Sequence, residues 1–316
     1  MSSIPETTST NSAPKVKVKK KGKSSQIKAQ NRFVFFSLTP IMTLFLVFSV
    51  IPIVWGLVLS FYQYNALEEH SPFIGLQNYR DMLKDDVFIK SFWNTFKFVI
   101  IAVPANIVLT LMIAIGINKI RSKVFRDLFR TIYFLPCIAP LAGSAVVWST
   151  MFNKDTGLFN VILNSLNMPS VDWLSDPAIA MYSVIAMTLW ADIGFNIVIF
   201  MAGLDSIPKM FYEAAELDGA NRWKSFWNIT VPLLSRTTLF VTIMTCLSYF
   251  QMFPQFQILT NGEPQNETRV LALNIYDHAF KFMNMGYASA IASVLFVIIL
   301  IITIMQLKLG KSQWEY

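Results

Sequence analysis

Charge is what this sequence has least of. Asp, Glu, Lys and Arg together make up 14% of its 316 residues, while apolar residues make up 54%. Soluble domains carry about 25% charge, and a chain of this size has too little interior to hide so much apolar surface from water. The composition argues against a soluble enzyme, a nucleic-acid-binding module and a disordered scaffold. Cysteine and histidine are as sparse. Cys137 and Cys246 both sit inside apolar stretches, and His70 and His278 lie far apart with no neighbouring ligand residue. Neither a metal pattern nor a disulfide framework follows from them. A phosphate-binding loop is missing as well. It needs G-x-x-x-x-G-K-[ST]; Gly310-Lys311-Ser312 supplies the last three letters, but the earlier glycine would fall at Met305. No H-E-x-x-H and no G-x-S-x-G occurs, so no hydrolytic site and no bound cofactor is expected in this chain.

What the sequence has in quantity is long apolar stretches. Six run at about Phe33–Phe61, Phe98–Ile117, Ile132–Met151, Met181–Leu204, Leu233–Phe253 and Ala288–Leu307. Each is about 20 residues or more, enough to cross a hydrocarbon core of about 30 Å as a helix. The expected fold is therefore an all-α polytopic membrane protein of six spans, covering residues 33–316. Pro40, Pro52, Pro104, Pro136 and Pro140 mark expected kinks, tolerated where neighbouring helices satisfy the freed carbonyls.

Basic residues set the expected orientation. Eight of the 26 Lys and Arg lie between Lys15 and Arg32. If that tail is cytoplasmic, 19 of the 26 fall on the inside and seven outside, the bias expected with both termini in the cytoplasm. Residues 1–32 read as a disordered basic tail. Its run Lys15–Lys28 is expected to touch anionic lipid rather than nucleic acid, since a span follows directly. The stretch after it is too long for a cleavable signal.

The connection at about 205–232 is not a plain link. Pro208 suits the start of a helix, the stretch around Ala214 and Ala215 favours helix, Gly219 suits a left-handed stop, and Asn221 can cap a second helix. Trp223, Phe226 and Trp227 then share one face. A helix–turn–helix results, and a pair of helices lying in the headgroup layer is the bland alternative. Its residues carry a resemblance. Glu213-Ala214-Ala215, three residues, Gly219, nine residues, then Ile229-Thr230-Val231-Pro232 resembles the EAA loop of permease subunits in ATP-binding-cassette importers. Val231 stands where the pattern has Leu. Ala202 through Pro208, Leu259 through Thr268, and Met285 through Ala290 are similar to the carbohydrate-uptake branch of that family.

The resemblance implies a type I importer permease fold and a coupling role for Glu213, Ala214, Ala215, Gly219, Ile229 and Pro232. It implies a second permease subunit, two ATPase subunits that hold ATP and magnesium, and an extracytoplasmic binding protein delivering a carbohydrate, in the cell membrane. The residues themselves add a candidate pathway. Asp192 is the one acidic residue in any expected span, and an ionisable group at membrane depth should face a cavity or a partner. Trp190 and Asn196 flank it, and Tyr249 and Gln251 end the fifth stretch with the aromatic and amide character that suits neutral sugars. Gln255 and Gln257 read as interfacial. Two other readings stay open: an ion-coupled secondary transporter using Asp192, and a membrane receptor or scaffold that transports nothing.

Overall fold

The computed structural model describes residues 22–68 and 70–310. The first 21 residues, with most of the expected disordered tail and basic run, fall outside them. Gly22–Arg32, assigned above to that tail, are helical instead. Gln26, Lys28, Ala29 and Gln30 are good helix formers, and a helix already nucleated in an apolar span extends through them at little cost. Contacts divide the chain into two compact units, Met1–Trp55 and Gly56–Tyr316. The division falls inside the first span.

Helix α1 (Gly22–Phe45) passes through a π-helical turn, Leu46–Val50, into α2 (Ile51–Leu59). The turn lies just ahead of Pro52, where the regular helical bonding must be relieved. Its apolar side chains, such as Phe36 and Ile41, are exposed, as a lipid-facing span requires.

The larger unit continues with α3 (Gln77–Met82), α4 (Asp86–Asn118), α5 (Lys123–Ile138), α6 (Leu141–Met151), α7 (Leu158–Ser165), α8 (Ala180–Ser206) and α9 (Lys209–Leu217). Then come α10 (Arg222–Ser225), α11 (Val231–Leu233), α12 (Ser235–Phe250), α13 (Pro254–Leu259), α14 (Leu271–Tyr276) and α15 (Met285–Leu309). Among the described residues, four helices are each long and apolar enough to cross a membrane: Asn31–Leu59, α4, α8 and α15.

The expected third and fifth spans are bent pairs, the third at the kink expected from Pro140; counting each pair as one span gives the expected six. Helices α5 and α6 meet at 96°. Pro140 forces the residue before it out of the helical region, and Ala139 is extended (φ −69°, ψ 139°). Helix α5 also starts nine residues before the expected Ile132, and its first turns carry Lys123, Arg126 and Arg130. It is amphipathic, not an apolar span. The segment Arg222–Leu233 meets α12 at 64°, where Pro232 lacks a donor.

Helices α4, α8 and α12 form the centre, with Phe98, Met187, Phe200 and Tyr249 fully buried. Helix α5 packs along α8, and Gly194 makes this possible. A Cβ there would strike the Tyr133 carbonyl, with the Phe134 Cα only 2.8 Å away. At one end of the bundle the loop before α14 is fastened to α4. Asn94 donates to the carbonyls of Asn266 and Arg269 at 2.6 and 3.0 Å, and the Leu271 amide donates to Thr95 at 2.9 Å. Tyr287 of α15 donates to Asp85, the α4 cap, at 2.8 Å. At the other end, Arg126 of α5 pairs with Asp205 of α8.

Overpacking a filled contact costs about 1–3 kcal/mol. Gly194→Ala should therefore lower the unfolding midpoint of the purified protein in detergent. Gly116→Ala, where an added Cβ meets nothing within 4 Å, should not lower it. Equal midpoints for the two variants would contradict the close α5–α8 packing.

Candidate functional site

An apolar helix that carries a polar side chain must find it a partner, because hydrocarbon offers none. Three central helices solve this jointly. Asn106 of α4 donates to the Tyr249 hydroxyl of α12 at 2.9 Å. Asn196 of α8 donates to the Asn106 side-chain Oδ1 at 2.7 Å and to the Thr245 hydroxyl at 3.0 Å. All four side chains are buried. The chain of bonds runs from Thr245 through Asn196 and Asn106 to Tyr249, whose hydroxyl lies beside the Asp192 carboxylate.

Of the residues singled out from the sequence, Asp192, Asn196 and Tyr249 are thus brought together. The first is half-buried, one turn from the buried Asn196. It also sits beside the break in the third span. Cys137, three residues before Pro140, donates to the carbonyl of Ala191 at 3.0 Å. Non-helical backbone at membrane depth is tolerated where it is buried in protein or lines a cavity. A half-buried carboxylate facing such a break can accept hydrogen bonds from hydroxyl groups passing it.

The other two stand apart from this group. Trp190 is on the neighbouring face of α8, 39% exposed, with its ring 5.5 Å from Trp148 of α6. It belongs to an aromatic cluster that continues through Phe152, Phe159 and Trp173. Gln251 caps α12 and is exposed. Gln255, read above as interfacial, is instead fully buried and donates to the Met252 sulfur at 2.7 Å. Pro254 starts α13 and turns the chain back into the protein, carrying the amide inward. Asn106 and Thr245 were missed altogether. Asn106 is a single amide in an apolar run, whereas Thr245 follows Thr238 and Thr242 at turn spacing, a polar stripe that could have pointed to it.

The loop between α8 and α12 is a folded element. Pro208 caps α9, and Gly219 holds φ +76° at the turn. No atom lies within 4 Å of a Cβ built there, so backbone conformation and not space calls for glycine. The Ala220 amide closes the turn on the Ala215 carbonyl at 2.8 Å. Asn221 caps α10 by accepting the Lys224 amide at 2.8 Å. Tyr212 and Thr230 hydroxyls, 2.9 Å apart, tie the two arms together. Trp223, Phe226 and Trp227 pack on one another, with ring centroids 5.1–5.9 Å apart. Glu213, Ala214 and Gly219 are exposed, and Ala215, Ile229 and Pro232 half-buried. Leu217 is 90% exposed and Trp223 68%, so a rigid element offers uncovered apolar surface.

The family model for the binding-protein-dependent transport system inner membrane component matches residues 106–314. The chain is similar to the probable ABC transporter permease protein YurN of Bacillus subtilis, 32% identical over 90% of this chain and 99% of that one. It is 32% identical to the arabinooligosaccharides transport system permease protein AraP of Bacillus subtilis, over 86% and 87% of the two chains. It is 31% identical to the trehalose/maltose transport system permease protein MalF of Thermococcus litoralis, over 88% and 93%. Among solved structures, a chain of a bacterial ABC transporter involved in the import of the acidic polysaccharide alginate superposes with a TM-score of 0.79. The superposition covers 93% of this chain and 100% of that one at 23% identity.

Leaving a buried donor unpaired costs about 1–3 kcal/mol. Tyr249→Phe and Asn106→Leu should each destabilise the protein. Because both break the same bond, the double variant should cost less than the sum of the two by about 0.5–3 kcal/mol. Unfolding of the four proteins in detergent measures this, and strict additivity would break the link.

Proposed function

Because the chain belongs to the family of binding-protein-dependent transport system inner membrane components, with the type I importer permease fold, we propose that it carries carbohydrate through an ATP-driven importer. The substrate class is an oligosaccharide, supported by the names of the relatives AraP and MalF. An extracytoplasmic binding protein delivers it, a second permease subunit completes the pathway, and two ATPase subunits supply the energy. A solved alginate transporter of the same fold is described with its substrate-bound periplasmic protein, which supports the first of these partners.

The observation that carries the reading is the loop 205–232. A floppy connection would absorb a push, whereas this one is capped, turned on a left-handed glycine and cross-tied at Tyr212 and Thr230. Its exposed Glu213 and small Ala214 suit close docking in a cleft of an ATPase subunit. The bias of basic residues supports a cytoplasmic position for it, on the side of the ATPases. Half-buried Asp192 lines the route and takes hydroxyl groups of the sugar, with the buried Asn106, Asn196, Thr245 and Tyr249 behind it. An ion-gradient-driven transporter would leave this rigid loop without a task.

Two experiments test these roles in the assembled transporter, reconstituted in lipid vesicles. Gly219→Val puts a branched side chain at positive φ, a penalty of about 1 kcal/mol or more. Glu213→Ala removes a charged anchor and should weaken docking about tenfold or more. Both variants should insert normally and lose substrate-stimulated ATP hydrolysis, and Cys at position 214 should crosslink to the ATPase. Full ATP-coupled transport by the double variant would remove the coupling role. Asp192→Asn keeps the side chain's shape and removes its charge. It should leave assembly intact and change transport rate or substrate choice. A Cys at 192 that reagents in water reach in no state would place Asp192 outside the route.

A further inference from the structure

Helices α5 and α8 are joined along one seam by three unlike contacts. At the end beside the break, Cys137 donates to the Ala191 carbonyl at 3.0 Å. In the middle, Gly194 lies against the backbone of Tyr133 and Phe134. At the end that leads to the loop, Arg126 pairs with Asp205, to which Asn118 of α4 also donates at 3.4 Å. Arg126, Tyr133 and Cys137 are seven and four residues apart and so share one face of α5.

Packing holds the helices together at Gly194 but not at the loop end. There a cavity of about 500 Å³ opens between the first turns of α5 and the last turns of α8. Arg126 and Asp205 both line it, so their ion pair links walls that packing leaves apart. Neither charge suits its own helix. Asp205 is the last residue but one of α8, at the negative end of that helix's dipole, and Arg126 lies near the start of α5, at the positive end of its own. Each gains from the other what its helix withholds. An ion pair with side chains 28% and 50% exposed adds little to stability. What this one supplies is position.

We propose that Arg126 and Asp205 are positioning residues that make α5 a second arm of the loop, a role that rests on the coupling proposed above. Asp205 lies three residues before Pro208, so a displaced loop pulls on it first. Tied to it, α5 follows α8 as one body. The movement travels eleven residues, about 16 Å of helix, from Arg126 to Cys137. It arrives at the extended Ala139, the break in the third span, where Cys137 holds the carbonyl of Ala191 next to Asp192. Without the tie, the first turns of α5 lag behind α8. The break then stays in place while α8 moves, and ATP is spent without opening the route beside Asp192.

The test uses the assembled transporter in lipid vesicles, with radiolabelled arabino- and malto-oligosaccharides as probes, and measures sugar moved per ATP hydrolysed. Asp205→Ala and Arg126→Gln should each assemble with an unchanged unfolding midpoint and still hydrolyse ATP, yet lower that ratio about fivefold or more. The double variant should be no worse than either single one, as two halves of one link require. Asp205→Glu should keep most of the ratio. Arg130→Gln, which lines the same cavity outside the pair, should leave it unchanged. The native thiol of Cys137 gives a second measurement at the other end of α5. Its reaction with a maleimide during ATP hydrolysis, followed by mass spectrometry of its peptide, should quicken about fivefold in both single variants. An unchanged ratio in Asp205→Ala would overturn the proposal, as would a loss in Arg130→Gln equal to that in Arg126→Gln. Failure of the unchanged complex to move either sugar would count against the importer reading instead. The Cys137 reaction would then decide the tie by itself: quickened in both variants it supports it, unchanged it overturns it.

Discussion

The structure depends on one constraint: a polar side chain in an apolar medium must be satisfied by another helix, since no water can do it. Asn106, Asn196, Thr245 and Tyr249 meet it with three bonds of 2.7–3.0 Å across α4, α8 and α12. Apolar packing alone would allow these helices to slide or rotate with small changes in energy, because lipid is as apolar as leucine. Interhelical hydrogen bonds are directional and fix the register. Everything else in the larger unit is placed relative to these three helices. Helix α5 lies on α8 through Gly194, and the loop before α14 hangs on Asn94 and Thr95 of α4.

The same constraint explains where the sequence was readable. Apolar length gave α4, α8 and α15 because a straight helix needs only length and hydropathy to announce itself. At 132–151 apolar length alone gave a continuous run, and only Pro136 and Pro140, marked as expected kinks, told of the 96° bend there. Hydropathy does not feel a bend, and the extended Ala139 follows from the residue after it. The loop was legible for the opposite reason. Its features are local: a capping asparagine, a glycine at positive φ and aromatics at turn spacing all act within a few residues. Asp192 announced itself by its cost in a membrane. Asn106 did not, because a single amide costs less and its partner lies 143 residues away. Gln255 misled because an amide at the end of a span looks the same whether the chain leaves the membrane or turns back under Pro254.

Position along the helices ties the two informative regions together. The loop is bounded by the helices that carry most of the network: α8 brings Asp192 and Asn196, and α12 brings Thr245 and Tyr249. From Asn196 to Asp205 is nine residues, about 14 Å of rigid helix. On the far side, the joint at Leu234 bends by 64°, so the two arms differ in stiffness. A displacement of the loop reaches α8 across the extended Ile207 and then runs along a straight, unbroken helix. It reaches α12 through a bend. Two helices moved unequally must shear against each other, and the bonds that cross them are Asn196 to Thr245 and, through Asn106, Asn196 to Tyr249. In the proposed importer, the bonds that hold the resting register are therefore the ones a moving loop strains first. The Asp192 carboxylate, proposed above to meet the sugar, lies beside Tyr249 at the end of that chain of bonds, so its reorientation requires no separate device.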